Sequence, residues 1–262
     1  MEESPFFIGN FSQSGRQDLE DIELQDQVNG IGLGAFYGCP NLSRLVLNKN
    51  LNYISPLAFA QCPSLKEVTA DSNIVALAPN AFGSECGGAK EILLKNFSYK
   101  CEGGVLYNAK WRSLLFAVDK SLDKIDFPKN TKTIGWYAFK DCKGLKELNI
   151  PETVEWIGEK AFCACSNLKK ISLTKSVKKI GQAAFMDCAA LEEFKIPKDI
   201  EEIEPFTFSG CENLASVEFP LSVRTIGEAA FEFCPALKKV TVSKWCEIAD
   251  GAFEKGVDIH RL

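Results

Sequence analysis

The sequence predicts a solenoid, a stack of short coils whose strands align into a parallel sheet. Three observations carry that expectation. The first is a recurring phrase, Ile-Gly-x-x-Ala-Phe-x-x-Cys. Its Phe falls at Phe36, Phe59 and Phe82, then at Phe139, Phe162, Phe185, Phe208 and Phe231, at one constant interval within each run. A last copy, at Phe253, comes slightly early. A period of this size, about 23 residues, marks architectures in which each repeat packs only on its neighbours. The second observation is the pattern L-x-x-L-x-L, as in Leu168, Ile171 and Leu173. The third is punctuation by Pro and Gly at fixed offsets within each unit.

The strand comes first in each unit. Ile171 and Leu173 alternate with Lys170, Ser172 and Thr174, the period-2 signature of a half-buried strand. Equivalent triplets are Leu42-Leu45-Leu47, Leu145-Leu148-Ile150, Leu191-Phe194-Ile196, Leu214-Val217-Phe219 and Leu237-Val240-Val242. Proline follows at Pro128, Pro151, Pro197 and Pro220, where it cannot extend a hydrogen-bonded ladder. A second apolar pair, such as Val154/Ile157 or Val177/Ile180, suits a short return segment. The Ala-Phe pair then closes the coil, with Ala where backbones crowd and Phe filling the space between coils. The Gly after Ile, at Gly32, Gly135, Gly158, Gly181 and Gly227, is expected to need positive φ. Ser55, Ala78 and Glu204 stand in its place ahead of Pro56, Pro79 and Pro205, so it is preferred but not obligatory.

The 262 residues divide into about eleven such units, read as one elongated domain over residues 19–262 behind a cap formed by residues 1–18. One stretch breaks the rhythm. Phe82 and Phe139 lie about two and a half periods apart, and residues 97–130 are irregular. Val105-Leu106 and Leu114–Val118 read there as a pair of strands across a turn. Cys39, Cys62, Cys142, Cys165, Cys188, Cys211 and Cys234 all stand at the same short offset after a repeat Phe, and Cys86 one place later, so the cysteines form a column. Small buried thiols packed as hydrophobes are the favoured reading of that column, ahead of disulfides or a metal site.

Little in the chain points to chemistry. A net charge of −5 and a pI near 5.2 argue against nucleic-acid binding. No apolar run approaches the ~20 residues a membrane span needs. The single histidine, His260, is expected to be solvated near the end of the chain, and no nucleotide or metalloprotease motif is present. No enzyme activity and no cofactor is expected. The candidate binding surface is the outward side of the strands, including Arg44, Lys170 and Lys195. A second candidate lies around the break, where Tyr107, Trp111, Trp136, Tyr137 and Trp156 gather, since aromatic residues dominate interface energetics.

The segments Leu145–Cys165 and Leu191–Cys211, which read L-K-x-I-x-I-P-x-x-V-x-x-I-G-x-x-A-F-x-x-C with small departures, closely resemble the BspA-like leucine-rich repeat family. Gly104-Val105-Leu106-Tyr107-Asn108 resembles a sub-unit interspersed among that family's repeats. The resemblance runs from about Leu19 onwards. It implies a leucine-rich repeat solenoid, a curved right-handed superhelix with a parallel sheet and short turns or helical segments. It also implies a surface-exposed or secreted protein that binds other proteins in adhesion, without catalytic residues. The acidic start, Met1-Glu2-Glu3, shows no secretory leader, which keeps open an intracellular, cytoplasmic scaffold or regulatory protein. The expected partner is a protein, and the chain is expected to be a monomer.

Overall fold

A computed structural model describes residues 6–70, 76–78, 81–82, 91–94, 99–102, 104–108, 113–117 and 121–262. The chain is a parallel β-solenoid of about 9 turns, with no helix among the described residues. Dividing length by period suggested more, but the stretch from Phe82 to Phe139 holds no further Ala-Phe pair. Contacts divide the chain into two compact units. One comprises Met1–Trp111 with Leu115–Lys120, the other Arg112–Leu114 with Ser121–Leu262.

Each regular coil contributes two strands. The front strand is the one the alternation announces. In the first unit Asp21–Glu23, Arg44–Leu47, Glu67–Ala70 and Glu91–Leu94 form one parallel ladder. Arg44 lies opposite Asp21 and Glu67, so the sequence period is also the register. In the second unit the front strands bond in pairs: Glu147–Asn149 with Lys170–Ser172, Glu193–Lys195 with Ser216–Glu218, and Lys239–Val242 with Asp258–Arg261. The return segment is itself a strand of two residues in most coils. Tyr53–Ile54, Trp156–Ile157 and Lys179–Ile180 belong to this back ladder. Ile54, Ile157 and Ile180 point inward and are buried.

Where helical segments were allowed, the connections are tight turns, and hydrogen bonding explains why. In the Ala-Phe turn, alternate N–H groups leave the coil: Gly34, Phe36 and Gly38 donate to the carbonyls of Pro56, Ala58 and Ala60 in the next coil, at 3.1, 2.8 and 2.8 Å. The intervening Ala35 and Tyr37 donate back within their own turn, to Gly32 and Gly34. Aiming the backbone both ways requires left-handed residues on either side of the Phe. Gly34, Leu57, Tyr137, Lys160, Ala183, Phe206 and Ala229 supply them just before it. Gly38, Gln61, Asp141, Ala164, Asp187, Gly210 and Phe233 do so just after, all at φ between 52° and 76°. Such conformations cost about 1 kcal/mol or more for a residue with a Cβ, and the inter-coil ladder offsets that cost.

The positive-φ positions correct the expectation for the Gly after Ile, since none of Gly32, Gly135, Gly158, Gly181 and Gly227 is among them. The constraint is steric. A Cβ on Gly181 would sit 2.6 Å from the Glu159 nitrogen, and one on Gly227 2.7 Å from the Pro205 nitrogen. At both positions the backbone of the preceding coil leaves no room for a side chain.

Between the ladders runs the apolar core. Phe36, Phe59 and Phe82 stack in the first unit with ring centroids 5.2 and 5.3 Å apart. Phe139, Phe162, Phe185, Phe208, Phe231 and Phe253 stack in the second, at 4.9 to 5.5 Å. This spacing is close to the ~4.8 Å separation of hydrogen-bonded strands. The cysteine column runs beside the rings. Cys188 Sγ donates to the Phe162 carbonyl at 3.2 Å, and Cys62, Cys165, Cys211 and Cys234 repeat the contact with the Phe of the preceding coil. The thiol is thus a small hydrophobe that also supplies a weak donor. Cys39, Cys62, Cys142, Cys163, Cys165, Cys188, Cys211, Cys234 and Cys246 are buried. Burial pushes the Cys62 and Cys163 thiols up to about 11 and Cys234 to about 12.

The ends follow the same plan. Residues 6–18, expected as a cap, form a coil of their own. Phe6–Ile8 pairs with Val28–Ile31, and Phe11, Gln13 and Gly15 donate to Leu33, Ala35 and Tyr37. Gln13 occupies the column that Phe36 holds one coil later, so a polar residue ends the aromatic stack. At the other end Asp258–Arg261 closes the last coil on Lys239–Val242, and His260 is exposed. In the irregular segment the strand pair around Asn108 is present, since Val105–Asn108 neighbours Ser113–Ala117. Tyr99–Glu102 adds an antiparallel partner that the sequence did not announce.

Candidate partner-binding surface

The front ladder presents one row of side chains to the core and the rest to solvent. Leu148, Ile171, Phe194, Val217 and Val240 fill the inward row and are buried. Lys170 and Ser172, Glu193 and Lys195, and Ser216 and Glu218 face outward and are exposed, as the alternation predicts. Val46, Thr69 and Thr241 are half-buried outward positions. The inward row holds one chemistry throughout, whereas the outward row changes sign and polarity at nearly every coil.

All three expected front cations are ion-paired across one coil. Arg44 reaches Glu67 at 3.8 Å, Lys170 reaches Glu193 at 3.5 Å and Lys195 reaches Glu218 at 2.7 Å. Each pair joins equivalent positions of successive coils. The Glu218 carboxylate raises the Lys195 pKa through a hydrogen bond and its charge. Exposed pairs of this kind contribute little to stability. Their consequence is register and local neutrality.

Beside these pairs the front of the second unit is grooved. A cavity of about 230 Å³ lies over Ile171 and Phe194, between strands that are not bonded to each other. A second, of about 330 Å³, adjoins it over Leu173, Pro197 and Phe219. Leu173, Lys195 and Glu218 line both, so they form one depression across three coils. Sequence reasoning passed over Lys175 and Lys198 on its rim. The signal was there, since the two stand at the same place in successive repeats, beside the proline position.

The aromatic group is only partly assembled. Trp136 is 50% exposed, and its Cδ1 lies 2.7 Å from where a Cβ on Gly158 would stand, so the indole fills the space that Gly leaves. Trp156 projects from the back strand just before Gly158 and is 37% exposed. Tyr137 is half-buried, with Lys160 Nζ 5.6 Å above its ring and Glu159 Oε1 3.5 Å from its hydroxyl. These three share the back of the second unit. Tyr107 is half-buried in the first unit, and Trp111 lies outside the described residues. Other exposed apolar side chains stand elsewhere: Trp245 at 75% and Leu221 at 70% near the last coils, and Phe6, Phe7 and Phe11 on the first.

Among the described residues no three His, Cys, Asp or Glu side chains are placed to hold a metal ion. The Cys188 and Cys211 thiols are sealed and held protonated by burial. No helix among the described residues is long and apolar enough to cross a membrane.

A family model described as the BspA type leucine rich repeat region matches the chain in 6 copies, over residues 6–119, 110–238 and 178–261. No curated protein matches the chain by sequence. Among solved structures, the pneumococcal vaccine antigen PcpA is similar over 94% of this chain and 68% of its own, with a TM-score of 0.70 and 21% identity. A leucine rich cell surface protein from Faecalibacterium prausnitzii matches over 96% of this chain and 79% of its own, with a TM-score of 0.67 and 21% identity. A leucine-rich repeat protein from Eubacterium ventriosum matches over 94% and 67%, with a TM-score of 0.64 and 26% identity.

Proposed function

Because the chain belongs to the BspA-type leucine-rich repeat family, we propose that it is a non-catalytic scaffold that binds another protein, at a cell surface or after secretion, in an adhesive role. The observation that carries this reading is the contrast within the front ladder. The inward row repeats one chemistry, while the outward row is exposed and differs coil by coil. A sheet that needed only to stay folded has no use for that variation. An extended surface that recognises a partner does, because recognition rests on the pattern of side chains and not on the scaffold. The printed names of two relatives, a vaccine antigen and a cell surface protein, support the location.

A second reading, an intracellular scaffold, draws on the buried column of cysteine thiols, which suits a reducing compartment. Two measurements separate the readings. Surface biotinylation of intact source cells labels the protein under the first and leaves it unlabelled under the second. Biosensor binding to immobilised extracellular matrix proteins should show saturable binding. Absence of binding to any of them, together with absence of surface labelling, removes the adhesive reading.

A further inference from the structure

The groove on the front of the second unit has an apolar floor and a cationic rim. Leu173, Phe219 and Pro220 are half-buried, leaving apolar surface open to a ligand. Pro197 lies between them and has no N–H to offer. Around this floor stand Lys170, Lys175, Lys195 and Lys198 against Glu193 and Glu218, four cations against two anions. Lys170 and Lys195 are neutralised by those two glutamates. Lys175 and Lys198 are exposed and lie within ion-pair distance of no carboxylate among the described residues, and Asp199 is engaged by Lys178. The two unpaired ammonium groups therefore form a local positive edge on a chain whose net charge is −5.

We propose that this groove binds an extended acidic peptide segment of a partner protein, with carboxylates on Lys175 and Lys198 and an apolar side chain between Leu173, Pro197 and Phe219. The spacing suits such a ligand. Lys175 and Lys198 occupy equivalent positions on successive coils, whose Phe185 and Phe208 rings lie 5.5 Å apart. Alternate side chains on one edge of an extended peptide are separated by ~6.6 Å, a difference that flexible lysine stems absorb. Charge complementarity selects acidic segments over basic ones, and the apolar slot selects peptides over simple polyanions. The inference rests on the protein-binding reading above and assigns it a location and a chemistry.

The test uses the full chain and a dye-labelled synthetic peptide, glycine–glutamate–serine–glutamate–phenylalanine–glycine, read by fluorescence anisotropy. It should bind, weaken as NaCl rises from about 0.05 to about 0.5 M, and lose at least about tenfold in affinity with K175E/K198E. Lys255→Glu, far from the groove in sequence, should leave affinity unchanged. Circular dichroism confirms folding, since both rim side chains are exposed. A version with lysine for glutamate should not bind, and one with alanine for phenylalanine should bind more weakly. Equal binding of the lysine version, or unchanged affinity in K175E/K198E, overturns the proposal. So does displacement by heparin together with indifference to the phenylalanine, which would mark a polyanion site. If a matrix protein binds the wild type and K175E/K198E alike, the groove is wrong while the protein-binding reading stands.

Discussion

The Ala-Phe turns and the front strands are built from the same repeat, yet they obey opposite rules. In the turns one residue type holds its column from coil to coil. Phe162, Phe185, Phe208 and Phe231 are fully buried, the cysteines beside them each donate to the Phe carbonyl of the preceding coil, and the glycines sit where a Cβ would strike the neighbouring backbone. On the outward side of the front strands, position 170 is Lys, 193 Glu, 216 Ser and 239 Lys, all exposed. The difference teaches that repetition in this chain marks the interior. What varies at a fixed register marks the surface available for recognition.

Breaking the turn column should have the largest effect. Phe185 stacks on both Phe162 and Phe208 and also meets Phe194 at 5.0 Å. Phe185→Ala should cost about 3–5 kcal/mol in urea unfolding. Gly181→Ala comes next, because its Cβ would stand 2.6 Å from backbone and has no flexible neighbour to displace. Its cost should be about 2 kcal/mol or more. Gly38→Ala, with nothing within 4 Å of its Cβ but a φ of 68°, should lose only about 1 kcal/mol, from backbone strain alone. Equal losses at the two glycines would show that crowding is not what position 181 requires.

Alkali probes the same column. Cys62 and Cys234 are held protonated above the ordinary thiol pKa of 9.0, to about 11 and about 12, chiefly by desolvation. Burial raises Cys188 in the same direction. From pH 9 up to the folded values, the unfolded chain releases these protons while the folded chain retains them. Stability is therefore full below about 9 and falls as pH rises, by about 1.4 kcal/mol per pH unit for each such thiol. Urea midpoints measured across this window should decline, and Cys188→Ala should flatten the slope.

A smaller effect comes from Thr174. Its hydroxyl is the buried side-chain oxygen without a hydrogen-bond partner among the described residues. The equivalent positions on the adjoining coils are Pro151 and Pro197, which bring no side-chain polar group to it. In other coils Asn48 and Ser243 occupy this position and accept from the N–H two residues on, of Asn50 and Trp245, a contact that Thr174 does not make. Thr174→Val should stabilise by about 1 kcal/mol, read as a raised melting temperature.

The period made the interior legible before any coordinates. Alternation around Ile171 and Leu173 located the front strands, and the phase of Phe and Cys located the stack. Three features lay beyond it. The left-handed residues are Leu57, Lys160, Ala183 and Phe206 among others, which share no side-chain signature, because the inter-coil hydrogen bonds demand the conformation whatever residue is present. The role of Gly181 depends on the distance to the preceding coil, which one strand's sequence does not carry. The groove needed the unbonded gap between Lys170–Ser172 and Glu193–Lys195, so the sequence pointed to ion-paired Lys170 and Lys195 and missed the unpaired Lys175 and Lys198.

The separation of scaffold from recognition is tested most directly by measuring urea stability and binding of the acidic peptide on the same two variants. The account predicts that Phe185→Ala loses about 3–5 kcal/mol and, below its unfolding transition, binds like the wild type. It predicts that K175E/K198E keeps its stability within about 0.5 kcal/mol and loses binding. Lost binding in folded Phe185→Ala, or lost stability with intact binding in K175E/K198E, would contradict it.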